Sequence, residues 1–140
     1  MKRLKLDKNF IPCRVDDNDE MYLNGIFEFN ITKMIEYIKN NSDNVPVEKV
    51  SIGDFWESLN LNGVYVDSVD ISTPVILAEI APGRYNVIDG NHRVEKARKN
   101  GLGTMSAYKL KPEQHINFLT TKKGYEAYVE YWNDKLRQSW

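Results

Sequence analysis

The amino-acid sequence predicts an α/β (α+β) fold, in which helices pack on a small mixed β-sheet. Residues 75–80 form a short apolar run, VILAEI, of the kind found in buried strands. Residues 31–38 place apolar side chains at the i, i+3, i+4, i+7 spacing of an amphipathic helix. A chain of 140 residues has the usual size of one domain, so we expect residues 1–140 to share one core.

The composition is that of a globular protein with little net charge. Hydrophobic residues make up 41% of the chain and aromatic residues 11%, whereas disordered chains have few aromatics and a large net charge. Nineteen basic and 20 acidic residues leave a net charge of −1. Proteins that bind nucleic acid through phosphate contacts usually carry a basic excess, so the net charge does not favour a nucleic-acid partner.

The single cysteine, Cys13, points to a reducing compartment. It cannot form a disulfide within the chain or a zinc site built from several cysteines. The first residues are basic but no apolar segment follows them, and no stretch reaches the length of a membrane span. We therefore expect a cytoplasmic protein with no membrane partner.

The first half of the chain predicts two helices and a strand. Asn30 is placed to cap a helix over residues 31–39, with its side-chain oxygen accepting from an amide of the first turn. Residues 45–50 are expected to form a strand, and Pro46 marks its start or a sheet edge. Residues 54–59 are expected to form a short second helix.

The second half predicts three strands, a central helix and a C-terminal helix. The strands cover residues 75–80, 85–88 and 105–110, the central helix runs from Asn91 to Asn100 with Gly101 as its left-handed cap, and the last helix follows Gly124. The side chains expected in the core are Val75, Leu77, Val87, Val94 and Ala97, with Tyr128 and Trp132 from the aromatic face of the last helix.

The candidate functional site is the turn Asp89-Gly90-Asn91-His92-Arg93, which joins the strand at 85–88 to the central helix. A glycine here lets backbone approach a ligand closely, because glycine has no Cβ. The first N–H groups of a helix have no acceptor within it and lie at the positive end of its dipole, an arrangement that binds phosphate. Arg93 adds a planar fork for phosphate oxygens, and His92 adds a donor that also transfers protons. Asp89 is suited to hold Mg²⁺ or to orient a substrate hydroxyl.

The same turn also has a purely structural interpretation. Asp89 then caps the helix, Gly90 serves only the turn, and His92 and Arg93 are exposed residues of the first helical turn. The residue types alone leave both interpretations open.

A longer match favours the functional interpretation. The segments STPVILAEI (72–80) and YNVIDGNHRV (85–94), followed by ARKNG (97–101) and the strand at 106–108, resemble the core of the ParB/sulfiredoxin superfamily. In that superfamily a proline-led strand, a second strand and a Gly-x-His-Arg-type turn form a nucleotide-phosphate pocket. The resemblance covers residues 45–110 and implies the phosphate-binding residues Gly90, Asn91, His92 and Arg93, with Asp89 as a metal ligand or catalytic residue.

The branches of the superfamily differ at this turn. Sulfiredoxins carry a catalytic cysteine where this chain has Asn91, and partition ParB proteins carry a Gly-Glu-Arg-Arg-type motif. The turn is most similar to that of the free-serine kinases, which reads Asp-Gly-His-His-Arg. A glutamate of the preceding segment activates the hydroxyl in those kinases, and Glu57 is the counterpart that the resemblance implies here.

Together these observations predict a nucleotide-phosphate-binding domain. The resemblance implies a nucleoside di- or triphosphate (ATP/ADP or CTP) with Mg²⁺, and an ATP/ADP-dependent phosphotransferase or NTP hydrolase that uses Asp89, His92 and Glu57. The alternative is a non-catalytic ParB-like module that binds nucleic acid or protein, and a contiguous basic face would favour it. A nuclease is less favoured, because the sequence offers no paired acidic metal site. The acceptor is a small molecule or a protein, and the aromatic face of the last helix is either core or a homodimer surface.

Overall fold

The structure, a computed structural model, describes residues 2–56 and 70–138, with the backbone alone at 54–56. The described strands are β1 (Met21–Asn24), β2 (Phe27–Asn30), β3 (Val47–Ser51), β4 (Phe55–Trp56), β5 (Val75–Ala81), β6 (Arg84–Asp89) and β7 (Thr104–Leu110). The described helices are α1 (Ile31–Asn40), α2 (Asn91–Lys99), α3 (Pro112–His115) and α4 (Lys122–Gln138). Short 3₁₀ turns cover Ile52–Asp54 and Ile116–Phe118.

Strands β3 to β7 form one mixed sheet, as the sequence predicts. Their order is β3–β7–β5–β6–β4, and β1 and β2 form a separate two-stranded sheet. Strand β5 is antiparallel to β6 and parallel to β7, so a central buried strand has neighbours of both orientations. Strand β3 lies at the sheet edge beside β7. Pro46 precedes Val47, the first paired residue of β3, so its missing N–H interrupts no hydrogen bond of the sheet.

Alternate side chains of β5 enter two different cores. Val75 and Leu77 face α2, together with Val87, Val94 and Ala97, and each of these five side chains is at most 2% exposed. Ile76, Ala78 and Ile80 face α1 and α4 on the other side of the sheet. Since both faces are covered, all seven residues of β5 are buried, which explains why its sequence is apolar at every position except Glu79.

Helix α1 begins where its cap predicts. The side chain of Asn30 accepts a hydrogen bond from the Lys33 amide at 3.0 Å, and the asparagine is fully buried. Ile31, Met34 and Ile38 are the buried residues of the helix, as the apolar spacing predicts.

The expected helix over residues 54–59 is wrong where the structure describes it. Phe55 and Trp56 instead form β4, which pairs in parallel with β6 through Tyr85 and Asn86. Aromatic residues favour strands, and the open edge of β6 supplies hydrogen-bonding partners that a local helix pattern does not reveal. Glu57 lies outside the described residues, as does the rest of the expected helix.

Helix α4 buries its aromatic face, as predicted, and also holds the N-terminal arm, which we define as residues 2–10. Tyr125, Tyr128 and Trp132 are at most 3% exposed, so the stripe is core and not a free surface. The side chain of Asn133 bonds both the N–H and the C=O of Leu4, each at 2.8 Å. The Phe10 ring stacks on Tyr125 with 3.9 Å between ring centroids. No helix among the described residues is long and apolar enough to cross a bilayer.

Candidate functional site

Strand, glycine and helix follow one another directly at the candidate site. Strand β6 ends at Asp89, Gly90 adopts a left-handed conformation with φ of 105°, and α2 begins at Asn91. The Gly90 carbonyl accepts the first helical hydrogen bond, from the Val94 amide at 3.0 Å. The chain thus turns from sheet to helix within one residue, which places the start of α2 beside the end of β6 and the start of β5.

Two separate constraints favour glycine at position 90 of this turn. Its positive φ is unfavourable for a residue with a side chain. A Cβ at this position would also come within 2.6 Å of Val75 Cγ1 and 2.7 Å of Arg93 Nη2. The room left by the missing side chain is therefore filled by Val75 and Arg93. The sequence led us to expect that room to be open to a ligand, and in this conformation it is not.

Arg93 folds back onto the turn and pairs with Asp89. Its Nη2 lies 3.2 Å from Asp89 Oδ2, and the two side chains are 16% and 23% exposed. The expectation of an exposed first-turn arginine is therefore wrong, because the glycine gives the guanidinium a place against the backbone. Asp89 does not cap α2 either. The cap position is Gly90, and the Asp89 carboxylate accepts a hydrogen bond from Arg93 instead.

The structure brings most of the predicted site residues together. Asp89, Gly90 and Arg93 are in mutual contact, Asn91 is buried at the first helical position, and His92 is half-buried beside it. Glu57 cannot be placed, because it lies outside the described residues. The cluster therefore contains two residues of opposite charge and one histidine on a single turn.

Asp70, which the sequence alone did not single out, is a second carboxylate whose charge interacts with Arg93. Hydrogen bonds from the Ser72 hydroxyl (2.6 Å) and amide (2.9 Å) hold the pKa of Asp70 below its usual value, and the charges of Lys96 and Arg93 lower it further. Arg93 is therefore in the field of two carboxylates. The signal was the Asp-x-Ser spacing before Pro74, which is typical of a turn closed by an aspartate side chain.

The metal-binding capacity of the turn is limited. No group of three or more His, Cys, Asp or Glu side chains that could hold a metal ion occurs within residues 2–56 and 70–138. Mg²⁺ is commonly held by one or two carboxylates together with substrate phosphates. Asp89 is suited to be the single protein carboxylate of an ion that binds together with a phosphate ligand.

A second polar cluster, which the sequence alone did not single out, lies around Tyr85 on the same sheet face as α2. Lys109 and Lys111 place their ammonium groups 4.6 and 5.7 Å from the centre of the Tyr85 ring. Lys111 also donates to the Tyr85 hydroxyl at 3.0 Å and lies 3.8 Å from the buried carboxylate of Glu79. A shallow pocket of about 170 Å³ borders this cluster, between Tyr85, Lys109 and strand β3.

The charge is unevenly distributed along the chain. Residues 84–111, which form β6, α2 and β7, contain seven Lys or Arg and two Asp or Glu, a net charge of +5. All other residues together carry −6, which gives the total of −1. The near-neutral total therefore conceals a basic segment that contains both the turn at Gly90 and the Tyr85 cluster.

Comparisons with known proteins assign no family. No protein-family model matches the chain, and no curated protein matches it significantly. Among solved structures, the C-terminally truncated chromosome-partitioning protein ParB from Caulobacter crescentus, complexed with CTP-γ-S, aligns with a TM-score of 0.40 and 14% identity. The alignment covers 59% of this chain and 50% of the ParB chain. A similarity of this size does not assign a function to the chain, whose mixed α+β class is established by its own strands and helices.

Proposed function

We propose that the turn Asp89–Arg93 binds the phosphate groups of a nucleotide. The observation that carries the proposal is the position of Arg93: a guanidinium at the start of α2, against a glycine and within a segment of net charge +5. Helix starts favour anions because their amides and dipole present positive charge. An arginine adds two parallel donors that match the oxygens of a phosphate.

Each residue of the turn has a separate role in this proposal. Arg93 binds phosphate oxygens, His92 adds a donor at their edge, and the amides that follow Gly90, including that of Asn91, bind at the helix start. Mg²⁺ bound with the nucleotide would neutralise phosphate charge and take Asp89 as its protein ligand. The resemblance of the turn to nucleotide-binding members of the ParB/sulfiredoxin superfamily supports ATP, ADP and CTP as the ligands to test first.

We further propose phosphoryl transfer, to an acceptor hydroxyl or to water, as the chemistry of the bound nucleotide. Such transfer depends mainly on positioning and on stabilising the charge of the transferred group, which Arg93 and a metal ion supply. Asp89 or Glu57 would orient the attacking oxygen and accept its proton, and His92 is the remaining group able to move a proton. The acceptor is a small molecule or a protein side chain.

Calorimetric titration tests the binding step. ATP, ADP, CTP and GTP are titrated with Mg²⁺ into the wild type, Arg93→Lys and Arg93→Ala. A charge-assisted hydrogen bond contributes about 1.5–3 kcal/mol, so alanine should weaken binding roughly ten- to hundredfold. Lysine should restore only part of the affinity, because it keeps the charge but loses the fork.

Arg98→Ala is the matched control, since Arg98 is an exposed arginine of the same helix, 45% exposed at its side chain. Melting temperatures of all variants must be measured alongside, because Arg93 is largely buried and its loss leaves Asp89 without its partner. The proposal is refuted if no nucleotide binds the wild type below millimolar concentration, or if Arg93→Ala and Arg98→Ala bind equally well.

The basic segment supports a second candidate function, a binding module for single-stranded nucleic acid. Lys109, Lys111 and Tyr85 combine positive charge with an aromatic ring, as single-strand-binding surfaces do. Binding of a labelled oligonucleotide that weakens steeply with salt and is reduced by Lys109→Gln, but not by Arg93→Lys, would favour this function over the nucleotide pocket.

A further inference from the structure

We infer that the Asp89–Arg93 ion pair is a latch that keeps the phosphate site closed until a divalent cation accompanies the ligand. This inference rests on the proposed function and adds to it a positioning role for Asp89: its carboxylate holds Arg93 over Gly90, and the cation releases it.

The geometry of the pair carries the inference. Arg93 Nη2 and Nε would lie 2.7 and 2.8 Å from a Cβ built on Gly90, so the guanidinium fills the open side of the glycine. Asp89 Oδ2 holds it there through a single contact of 3.2 Å to Nη2. A phosphate that approaches Gly90 on this side meets the guanidinium first. The arginine has to rotate away from the glycine, or exchange its carboxylate partner for the phosphate.

The charges around the pair indicate how it opens. Asp89 competes directly with a phosphate for the same guanidinium, since both are oxygen anions and Arg93 has one planar fork. A free phosphate also approaches the negative charge of Asp89, which opposes it. A divalent cation bound to the phosphate reverses this arrangement, because it attracts the Asp89 carboxylate and leaves Arg93 to the phosphate oxygens.

This exchange predicts a specific coupling between cation and ligand. Without a divalent cation, Asp89 is an inhibitory residue and its neutralisation should improve nucleotide binding. With Mg²⁺ the same carboxylate becomes a ligand of the ion, so its neutralisation should reduce binding. One substitution is therefore expected to have opposite effects under the two conditions, which a purely structural role of Asp89 does not produce.

The experiment compares the wild type with Asp89→Asn by calorimetric titration of ATP and CTP at constant ionic strength, in EDTA and in Mg²⁺. In EDTA the variant should bind about fivefold more tightly, the gain expected from releasing one partly buried ion pair worth about 1 kcal/mol. In Mg²⁺ it should bind more weakly than the wild type. Asparagine keeps the size and an acceptor oxygen, and a melting curve confirms that the variant folds.

Glu95→Gln is the matched control for a general effect of charge. Like Asp89→Asn, it removes one negative charge. Glu95 lies in α2, two residues after Arg93, and it contacts Arg98 and not the turn. The NMR resonance of the Arg93 Nε–H group supplies a readout independent of affinity: it should shift in Asp89→Asn and stay unchanged in Glu95→Gln.

The latch is overturned if Asp89→Asn binds nucleotide in EDTA no more tightly than Glu95→Gln does. The proposed function fails in a different way, namely if neither the wild type nor the variants bind nucleotide under either condition. The two failures are therefore distinguishable in one set of titrations.

Discussion

Acid is expected to destabilise this protein through one buried histidine, His115. Its side chain is fully buried, and its Nε2–H donates to the Glu79 carbonyl at 2.8 Å. The same carbonyl accepts the Tyr128 hydroxyl at 2.7 Å. The other ring nitrogen, Nδ1, is buried and has no hydrogen-bonding partner among residues 2–56 and 70–138. A second proton would therefore create a buried charge and a donor without an acceptor.

Burial lowers the pKa of His115 from 6.5 to about 4, although the bond to the Glu79 carbonyl acts in the opposite direction. The unfolded chain therefore takes up this proton at a higher pH than the folded protein, so falling pH favours unfolding. The contribution of the neutral His115 side chain to the free energy of unfolding is present above pH 6.5 and is lost progressively as the pH falls to 4. A shift of 2.5 units corresponds to about 3 kcal/mol in total, of which about 2 kcal/mol is lost by pH 5.

Urea unfolding at pH 7.5, 6.5, 5.5 and 5.0 measures this loss, with His115→Gln as the reference protein. Glutamine can donate to the Glu79 carbonyl but does not titrate, and all other groups, including His92, are common to both proteins. The difference in free energy of unfolding between wild type and variant should therefore change by about 2 kcal/mol between pH 7.5 and 5.0. If the two proteins lose stability in parallel, the burial argument for His115 is wrong.

Two further predictions concern single side chains. Gly90→Ala should cost several kcal/mol, because it adds a contact of 2.6 Å with Val75 to the cost of a positive φ. Gly101→Ala should cost only about 1–2 kcal/mol, because φ is 75° there but no atom of the described residues lies within 4 Å of the Cβ position. Equal losses in thermal unfolding would show that the contacts at Gly90 do not matter. Trp132→Ala should cost about 3–5 kcal/mol in urea unfolding, since it opens a cavity and removes the indole bond to the Lys2 carbonyl. A loss of a few tenths would place this ring at the surface.

Elements whose pattern is local could be predicted from the sequence. The Asn30 cap fixes the start of α1 by a hydrogen bond three residues away. Gly101, with φ of 75°, follows α2 where a left-handed residue was expected. The apolar run of β5 was predicted because a strand buried on both faces is apolar at successive positions. The aromatic stripe of α4 was predicted because a helix buried on one face repeats its apolar residues every three or four positions.

Elements that depend on distant partners could not be predicted. Strand β4 exists through its pairing with β6, about 30 residues later in the sequence. Helix α3 has four residues, too few to show a period, although its Pro112 occupies a typical first position. At the site, the residues of the turn were predicted but the back-folded position of Arg93 was not, because only three-dimensional packing reveals that Gly90 makes room for it.

The N-terminal arm has a consequence for the order of folding. Leu4 is held by Asn133, and Asp7 by the Tyr125 hydroxyl, so these contacts join residues that are 129 and 118 positions apart. Closing loops of this length is costly in chain entropy and occurs after local structure has formed. During synthesis the arm emerges before its binding site on α4, because residues 2–10 precede residues 122–138 in the chain. Leu4 and Phe10 therefore lack their contacts with Asn133 and Tyr125, and stay accessible to water and chaperones, until α4 has been translated.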